Sequence, residues 1–285
     1  VADDLSIINA DFTNTSFKLS RVTIGANNFL GNQVAYPSHG QTGDNCLLAT
    51  KVMVPVDGDL REGVGLLGSP SFEIPRSVMR DIGLDHPKSQ EELSHQLAAK
   101  NRHNLITMGL FLLAHWFFSF GLILLLYGAA NLYQAAGVYG YMVAALLALM
   151  FRVFFFILVE RASILFKALR PQECSIYNPI FWSHERYWKL AVLSRHLSFL
   201  NGTPFKRLVW RLLGVQIGKR IFDDGCIITE KTMVSIGDYC TLNAGSVIQG
   251  HSQEDGGFKS DYITIGAGCT LGVNSLVHYG ATVGD

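Results

Sequence analysis

The sequence predicts a mixed chain in which two pieces of parallel β-helix flank a hairpin of transmembrane helices. Three observations carry that prediction. A six-residue beat of apolar anchors runs near both ends of the 285 residues. The two runs align on each other without gaps, at a constant offset of 241 that carries Thr23 onto Thr264. Between them, the stretch from His103 to Phe151 holds no Asp, Glu, Lys or Arg.

The beat comes first. Early anchors fall at Ile24, Leu30, Tyr36, Thr42, Leu48, Val54, Leu60 and Leu66, and late ones at Ile265, Leu271, Val277 and Val283. Glycine directly follows many of them, as at Gly25, Gly31, Gly43, Gly266, Gly272 and Gly284. A period of six, with an aliphatic residue and then a small one, is the hexapeptide signature of a parallel β-helix. Each short strand points one aliphatic side chain inward, and the small residue is expected to permit the corner between faces. Phe17-Lys18 matches Phe258-Lys259, Thr23-Ile24-Gly25-Ala26 matches Thr264-Ile265-Gly266-Ala267, and Gly43-Asp44 matches Gly284-Asp285. The repeating unit is therefore larger than one β-helix, and the chain reads as a slice of a longer tandem array.

The middle reads as membrane. Charged residues are 16% of the chain, against about 25% in ordinary globular proteins. The uncharged run far exceeds the roughly 20 residues that one crossing needs. Two spans are expected, at about 104–130 and 138–160, with a short break at "AANLYQAAG". Lys88, Lys100 and Arg102 precede the hairpin, while Arg161, Lys167 and Arg170 follow it. By the positive-inside rule both ends lie in the cytoplasm, which makes a multi-pass protein of the cell membrane with cytoplasmic soluble parts. The boundaries follow: 1–80 the end of a first β-helix unit, 84–174 the hairpin, 175–214 a linker, and 215–285 the start of a second unit.

In the linker, Tyr177, Phe181, Trp182, Tyr187 and Trp188 alternate with Arg186, Lys189 and Arg195. Phe205, Leu208, Val209, Leu212 and Leu213 form a helical stripe beside Lys206, Arg207 and Arg211. An amphipathic segment on the cytoplasmic leaflet fits, as does a helix capping the open end of the coil. A net charge of zero, with basic residues hugging the membrane, gives no support to a nucleic-acid partner, and none is expected. The five cysteines make no CxxC and no metal pattern, and free thiols are expected.

Chemistry is expected where the late beat breaks. "QGHSQEDGGFKSDYIT" reads as a loop thrown out from one corner, carrying His251, Glu254 and Asp255. A histidine followed closely by carboxylates suits a general base with an orienting partner. His278 directly follows the anchor Val277, so it projects outward from a rigid strand. The early copy has Ala10, Thr13, Asn14 and Pro37 where the late one has His251, Glu254, Asp255 and His278. Fold-bearing residues match while both histidines and both carboxylates drop out, the pattern of a structural copy beside an active one. Lys259, shared as Lys18, is assigned to structure.

"LLGSPSFEIPR", "YNPIFWSHERYWK", "IGKRIFDDGCIITEKTMVSIGDYCTLNAGSVIQGHSQEDGGFKSD" and "GAGCTLGVNSLVHYG" resemble the C-terminal membrane region of ε-poly-lysine synthetase-type nonribosomal peptide synthetases. In that family, adenylation and carrier domains precede transmembrane helices that alternate with tandem acetyltransferase-like domains. The resemblance covers nearly the whole chain and implies a left-handed hexapeptide β-helix. It also implies pseudo-trimeric partnership with other β-helix units and an aminoacyl-carrier domain in the same polypeptide. The cofactor would be phosphopantetheine on that upstream carrier, with no metal. The implied reaction joins a carrier-bound aminoacyl thioester to a free amino acid or a growing chain. Catalytic candidates are His278, His251, Glu254 and Asp255, with either histidine as the base. A membrane-tethered acyltransferase using acyl-CoA is the alternative within the fold, and a non-catalytic membrane scaffold is the alternative outside it.

Overall fold

The computed structural model describes residues 4–74, 89–191, 198–254 and 256–284. The chain divides into two compact units, Val1–Leu84 and Asp85–Asp285. The hairpin, the linker and the second β-rich region thus share one unit.

The first unit strings together β1 (Ser6–Ile7), β2 (Ala10–Phe12), β3 (Phe17–Leu19), β4 (Thr23–Ile24), β5 (Phe29–Leu30), β6 (Ala35–Tyr36), β7 (Gln41–Thr42), β8 (Leu47–Leu48), β9 (Gly65–Leu67) and β10 (Phe72–Ile74). β1 and β6, β4 and β7, β5 and β8, and β8 and β9 pair in parallel. Asn28 reaches Cys46 and Asp44 reaches Ala26 across a separation of 18 residues, three six-residue beats. Each beat therefore makes one side of a three-sided turn. The anchors Leu30, Tyr36, Thr42, Leu48, Val54 and Leu66 are buried, and Thr42 accepts its polar company inside by pairing with Tyr36 Oη at 2.8 Å. Leu60 departs from the expectation. It is 58% exposed, because the segment 55–63 leaves the coil without forming a strand.

The corner chemistry also differs from the expectation. Asn27, Gln33, His39, Asn45 and Lys51, six residues apart, take φ between 55° and 66° and turn the corners. In this unit the glycines after the anchors, Gly25, Gly31 and Gly43, serve another purpose. Gly31 is not left-handed, but a Cβ there would lie 2.9 Å from the Ala49 carbonyl carbon of the adjacent coil. Coil-on-coil stacking excludes a side chain at that position, since ordinary packing leaves no room for atoms that close.

In the second unit, helix α1 (Gln90–Ala136) is capped by Ser89, whose hydroxyl accepts from Glu92 N at 3.1 Å. Its 47 residues are about 70 Å long at 1.5 Å per residue. That is roughly twice a bilayer's hydrocarbon core. The anticipated break at 129–137 is helical down to Ala136, and the chain reverses at Gly137 alone, with φ 59°. Helix α2 (Val138–Ser163) returns antiparallel, with Phe118 stacked on Phe151 at 5.8 Å. Both helices are long and apolar enough to cross a membrane, and the most apolar stretch of α1 is wholly unburied.

β11 (Gln172–Ser175), α3 (Pro179–Leu190) and α4 (Pro204–Leu213) lead into the coil. Asn178 caps α3 through its side-chain oxygen, and Pro179 and Pro204 occupy first turns, where a missing N–H costs nothing. The stripe expected on α4 splits in two. Val209 and Leu213 are buried against the coil, joined there by Trp210 from outside the stripe, while Phe205, Leu208 and Leu212 stay exposed.

Ten strands among the described residues build the second coil: β12 (Gln216–Ile217), β13 (Phe222–Asp223), β14 (Ile227–Ile228), β15 (Val234–Ile236), β16 (Thr241–Leu242), β17 (Val247–Gln249), β20 (Ile263–Ile265), β21 (Thr270–Leu271), β22 (Leu276–His278) and β23 (Thr282–Val283). They enter three parallel sheets in rotation, β12-β15-β20-β23, β13-β16-β21 and β14-β17-β22. Ile236, Leu242, Ile248, Ile265, Leu271 and Val277 fill the interior, and Phe156 and Ile157 of α2 belong to the same core. The foot of the apolar hairpin is thereby fused to the coil.

The stretch expected as a loop is a β-hairpin, β18 (His251–Glu254) and β19 (Gly257–Ser260), and β11 adds to its edge. The equivalent early stretch is also a hairpin, β2–β3, with Phe12 opposite Phe17. Lys259, assigned to structure from the sequence, pairs with Glu173 of β11.

Candidate functional site

The second hairpin stands over a buried carboxylate. Glu230 lies in the connection from β14 to β15 and is fully buried. Its Oε1 receives three groups: His251 Nδ1 at 2.8 Å, Trp188 Nε1 at 2.7 Å and His184 Nε2 at 3.2 Å. Its Oε2 accepts from the Thr229 hydroxyl, which itself accepts from Gly250 N at 3.1 Å. Glycine is required at 250, because a Cβ would stand 2.7 Å from Glu230 Oε2.

Local sequence explains the convergence. His184 and Trp188 are four residues apart on α3, so both present one helix face to the carboxylate. His251 opens β18 directly after Gly250 and turns its ring onto Trp188, centroids 4.3 Å apart. Phe258, on the partner strand, is completely buried beneath Phe181, His184 and Trp188. Aromatic packing therefore fixes the hairpin, and the hairpin fixes His251.

Burial by itself would raise the Glu230 carboxyl. The charge of His251, with hydrogen bonds from His184 and His251, more than offsets it and holds the group well below the usual carboxylate range. Glu230 is accordingly an anion that accepts, so His251 presents an Nδ1–H to it. The His251 side chain is 17% exposed. This is the geometry of an oriented imidazole base: one nitrogen held by a carboxylate, the other open. His184 is held at Nε2 but buried, with Nδ1 enclosed and unpaired, so it supports without reaching solvent.

Beneath this layer lies a second buried cluster. Lys231 Nζ pairs with Glu160 Oε1 at 2.8 Å, and Tyr187 Oη lies 3.1 Å from the same oxygen and 2.9 Å from the Thr229 carbonyl. Burial, then the charges of Glu160 and Glu230, push the Tyr187 phenol well up, so it stays protonated and donates. Glu160 belongs to α2, which couples the apolar hairpin to the residues that hold His251.

Of the residues singled out from sequence, His251 has the expected orienting carboxylate, but its partner is Glu230. Glu254 is buried in β18 opposite Gly257, at the far end of the hairpin strand. Asp255 lies outside the described residues. His278 sits on β22, partly exposed, opposite Gln249 of β17, with its ring on Tyr279 at 4.4 Å. Gln249 in turn donates to the His251 carbonyl at 3.0 Å. One cross-strand position thus links the two histidine-bearing segments.

Sequence reasoning missed Glu230, His184 and Trp188. The signal for the pair on α3 was a spacing of four within "SHERYW". For Glu230 it was a slip in the beat: Ile228 pairs with Ile248, two residues beyond the 18-residue register of the first unit.

The whole chain aligns at 26% identity with a curated relative, the delta-poly-L-ornithine synthetase of Acinetobacter baumannii strain AB307-0294. By its name that relative is a poly-amino-acid synthetase, and the likeness to it runs the full length of this chain. The chain spans about a fifth of that relative's length, 22%. No family model matches. No solved structure matches either.

Proposed function

We propose that this region is a membrane-anchored aminoacyl-transfer module of a poly-amino-acid synthetase, with His251 as its general base. The carrying observation is the His251–Glu230 pair, with Nδ1 fixed on a buried anion and Nε2 open. The donor would be an aminoacyl thioester on a phosphopantetheine arm, presented by a carrier domain of the same longer polypeptide. An attacking amine such as lysine's has a reference pKa near 10.4 and arrives protonated, so it first gives one proton to solvent and attacks as the neutral amine. His251 Nε2 accepts the amine proton as nitrogen forms its bond to the thioester carbonyl carbon. The carbon–sulfur bond breaks, and the same proton passes from His251 to the departing sulfur. Glu230 holds the tautomer throughout and stabilises the transient imidazolium.

The three-sided coils are read as left-handed hexapeptide β-helices, with sister units completing a pseudo-trimer around the arm. The hairpin α1–α2 is read as two crossings, with both coils in the cytoplasm. His278, one strand away through Gln249, is read as a substrate contact.

The test places His251→Ala and His278→Ala singly in the full-length polypeptide in membranes. Product is then measured from a preloaded aminoacyl carrier. Loss of product with His251→Ala, while carrier loading and membrane insertion survive, supports the assignment. Loss with His278→Ala alone moves the base to His278. If both variants remain active, the region is a scaffold. Equal turnover of acyl-CoA in place of the carrier thioester would replace the donor.

A further inference from the structure

A cleft of about 550 Å³ opens between α1 and α3, away from the His251 site. Its size falls within the roughly 300–1,000 Å³ of small-molecule pockets. Its lining combines two chemistries. Met108, Phe111 and Leu112, in the uncharged part of α1, supply an apolar wall. His103, Arg186 and Lys189 supply basic groups.

The basic part of the lining carries cations that the described carboxylates leave unmatched. Glu185 is already paired with Lys100 at 3.2 Å. Arg186 donates from Nε to Thr107 Oγ1 and from Nη2 to His103 Nδ1, each at 3.0 Å, and both partners are neutral groups. No described bond uses Arg186 Nη1 or the exposed Lys189 ammonium. A partly buried guanidinium held in place without an anion favours one that arrives from outside.

We propose that this cleft binds one anionic glycerophospholipid, its phosphate on Arg186 and Lys189 and an acyl chain along Met108, Phe111 and Leu112. The proposal rests on the membrane reading of α1–α2, which sets the level of Arg186 where the uncharged run begins. A bound lipid would brace α3, the helix that also carries His184 and Trp188, against the membrane helix.

The test uses the chain delipidated in detergent and then mixed with phosphatidylglycerol, phosphatidylcholine or inorganic phosphate, with retained lipid counted by native mass spectrometry. Phosphatidylglycerol is expected to be retained about tenfold over phosphatidylcholine, as charge-assisted contacts imply. Arg186→Gln and Lys189→Gln should each remove most of that preference. Lys189 is exposed, so its variant folds regardless. Equal retention of the two lipids, insensitivity to both variants, or full competition by inorganic phosphate would overturn the site. Alkaline extraction of the chain from vesicles reads the membrane question separately. A chain that is extracted yet keeps Arg186-dependent lipid retention retains this site while losing the membrane reading.

Discussion

The two β-hairpins share a backbone and differ in what lies on them. β2–β3 and β18–β19 occupy equivalent places in the repeated frame, and Phe17 corresponds to Phe258. Phe17 is 64% exposed, whereas Phe258 is completely buried. The early hairpin opens on Ala10, and the late one opens on His251 with Glu230 beneath it. The frame makes the hairpin, and the chemistry comes from what the second unit packs against it. A histidine on a hairpin is an ordinary surface group until a helix face and a buried carboxylate converge on it.

The largest expected effect removes the base. His251→Ala should lower peptide formation by about 10²- to 10⁴-fold, the usual contribution of a positioned general base, measured in single turnover from a loaded carrier. Ala10→His in the same polypeptide should restore none of it, because no described residue holds that position as Glu230 holds His251. Rescue by Ala10→His would break the comparison outright.

Glu230→Gln tests the anion. Three donors would then face an amide, and breaking a buried ionic network of this kind costs about 3–5 kcal/mol. The pH dependence has a definite sign. The carboxyl of Glu230 is depressed on folding, so its stabilisation is present above the ordinary carboxylate range near 4.3. It is lost as pH falls through the lowered value of the folded state. Glu230→Gln should therefore flatten the acid limb of a denaturant-midpoint profile. An unchanged limb would show that the two histidines do not hold a charge there.

Much of this architecture was legible in the sequence, and the reasons are physical. Interior anchors repeat because a coil interior repeats, so Leu30 through Val54 and Ile265 through Val277 could be read as inward-facing. The uncharged run from His103 to Phe151 could be read as a helical pair, because charge is costly in lipid. Leu60 could not be read, since nothing in the six-residue beat marks where a segment leaves the coil. The role of Gly31 was misread because close approach between coils is tertiary, while corner geometry is local. The site was half legible. His251 stood out by its absence from the early copy, but Glu230 lies 21 residues upstream, where only the fold brings it beneath the hairpin.

The smallest effects sharpen the packing half of the comparison. Phe258→Ala should cost about 3–5 kcal/mol, as for other fully buried aromatic side chains. It should also lower activity with it, since Phe258 wedges the hairpin against α3. Phe17→Ala, at the equivalent place, should fall within about 0.5 kcal/mol of no change, as exposed positions do. Denaturant unfolding of the two variants side by side measures the difference. Equal losses would mean that the early hairpin is covered in the functioning protein as the late one is here. In that case exposure of Phe17 would no longer distinguish the two copies, and the contrast would rest on His251 and Glu230 alone.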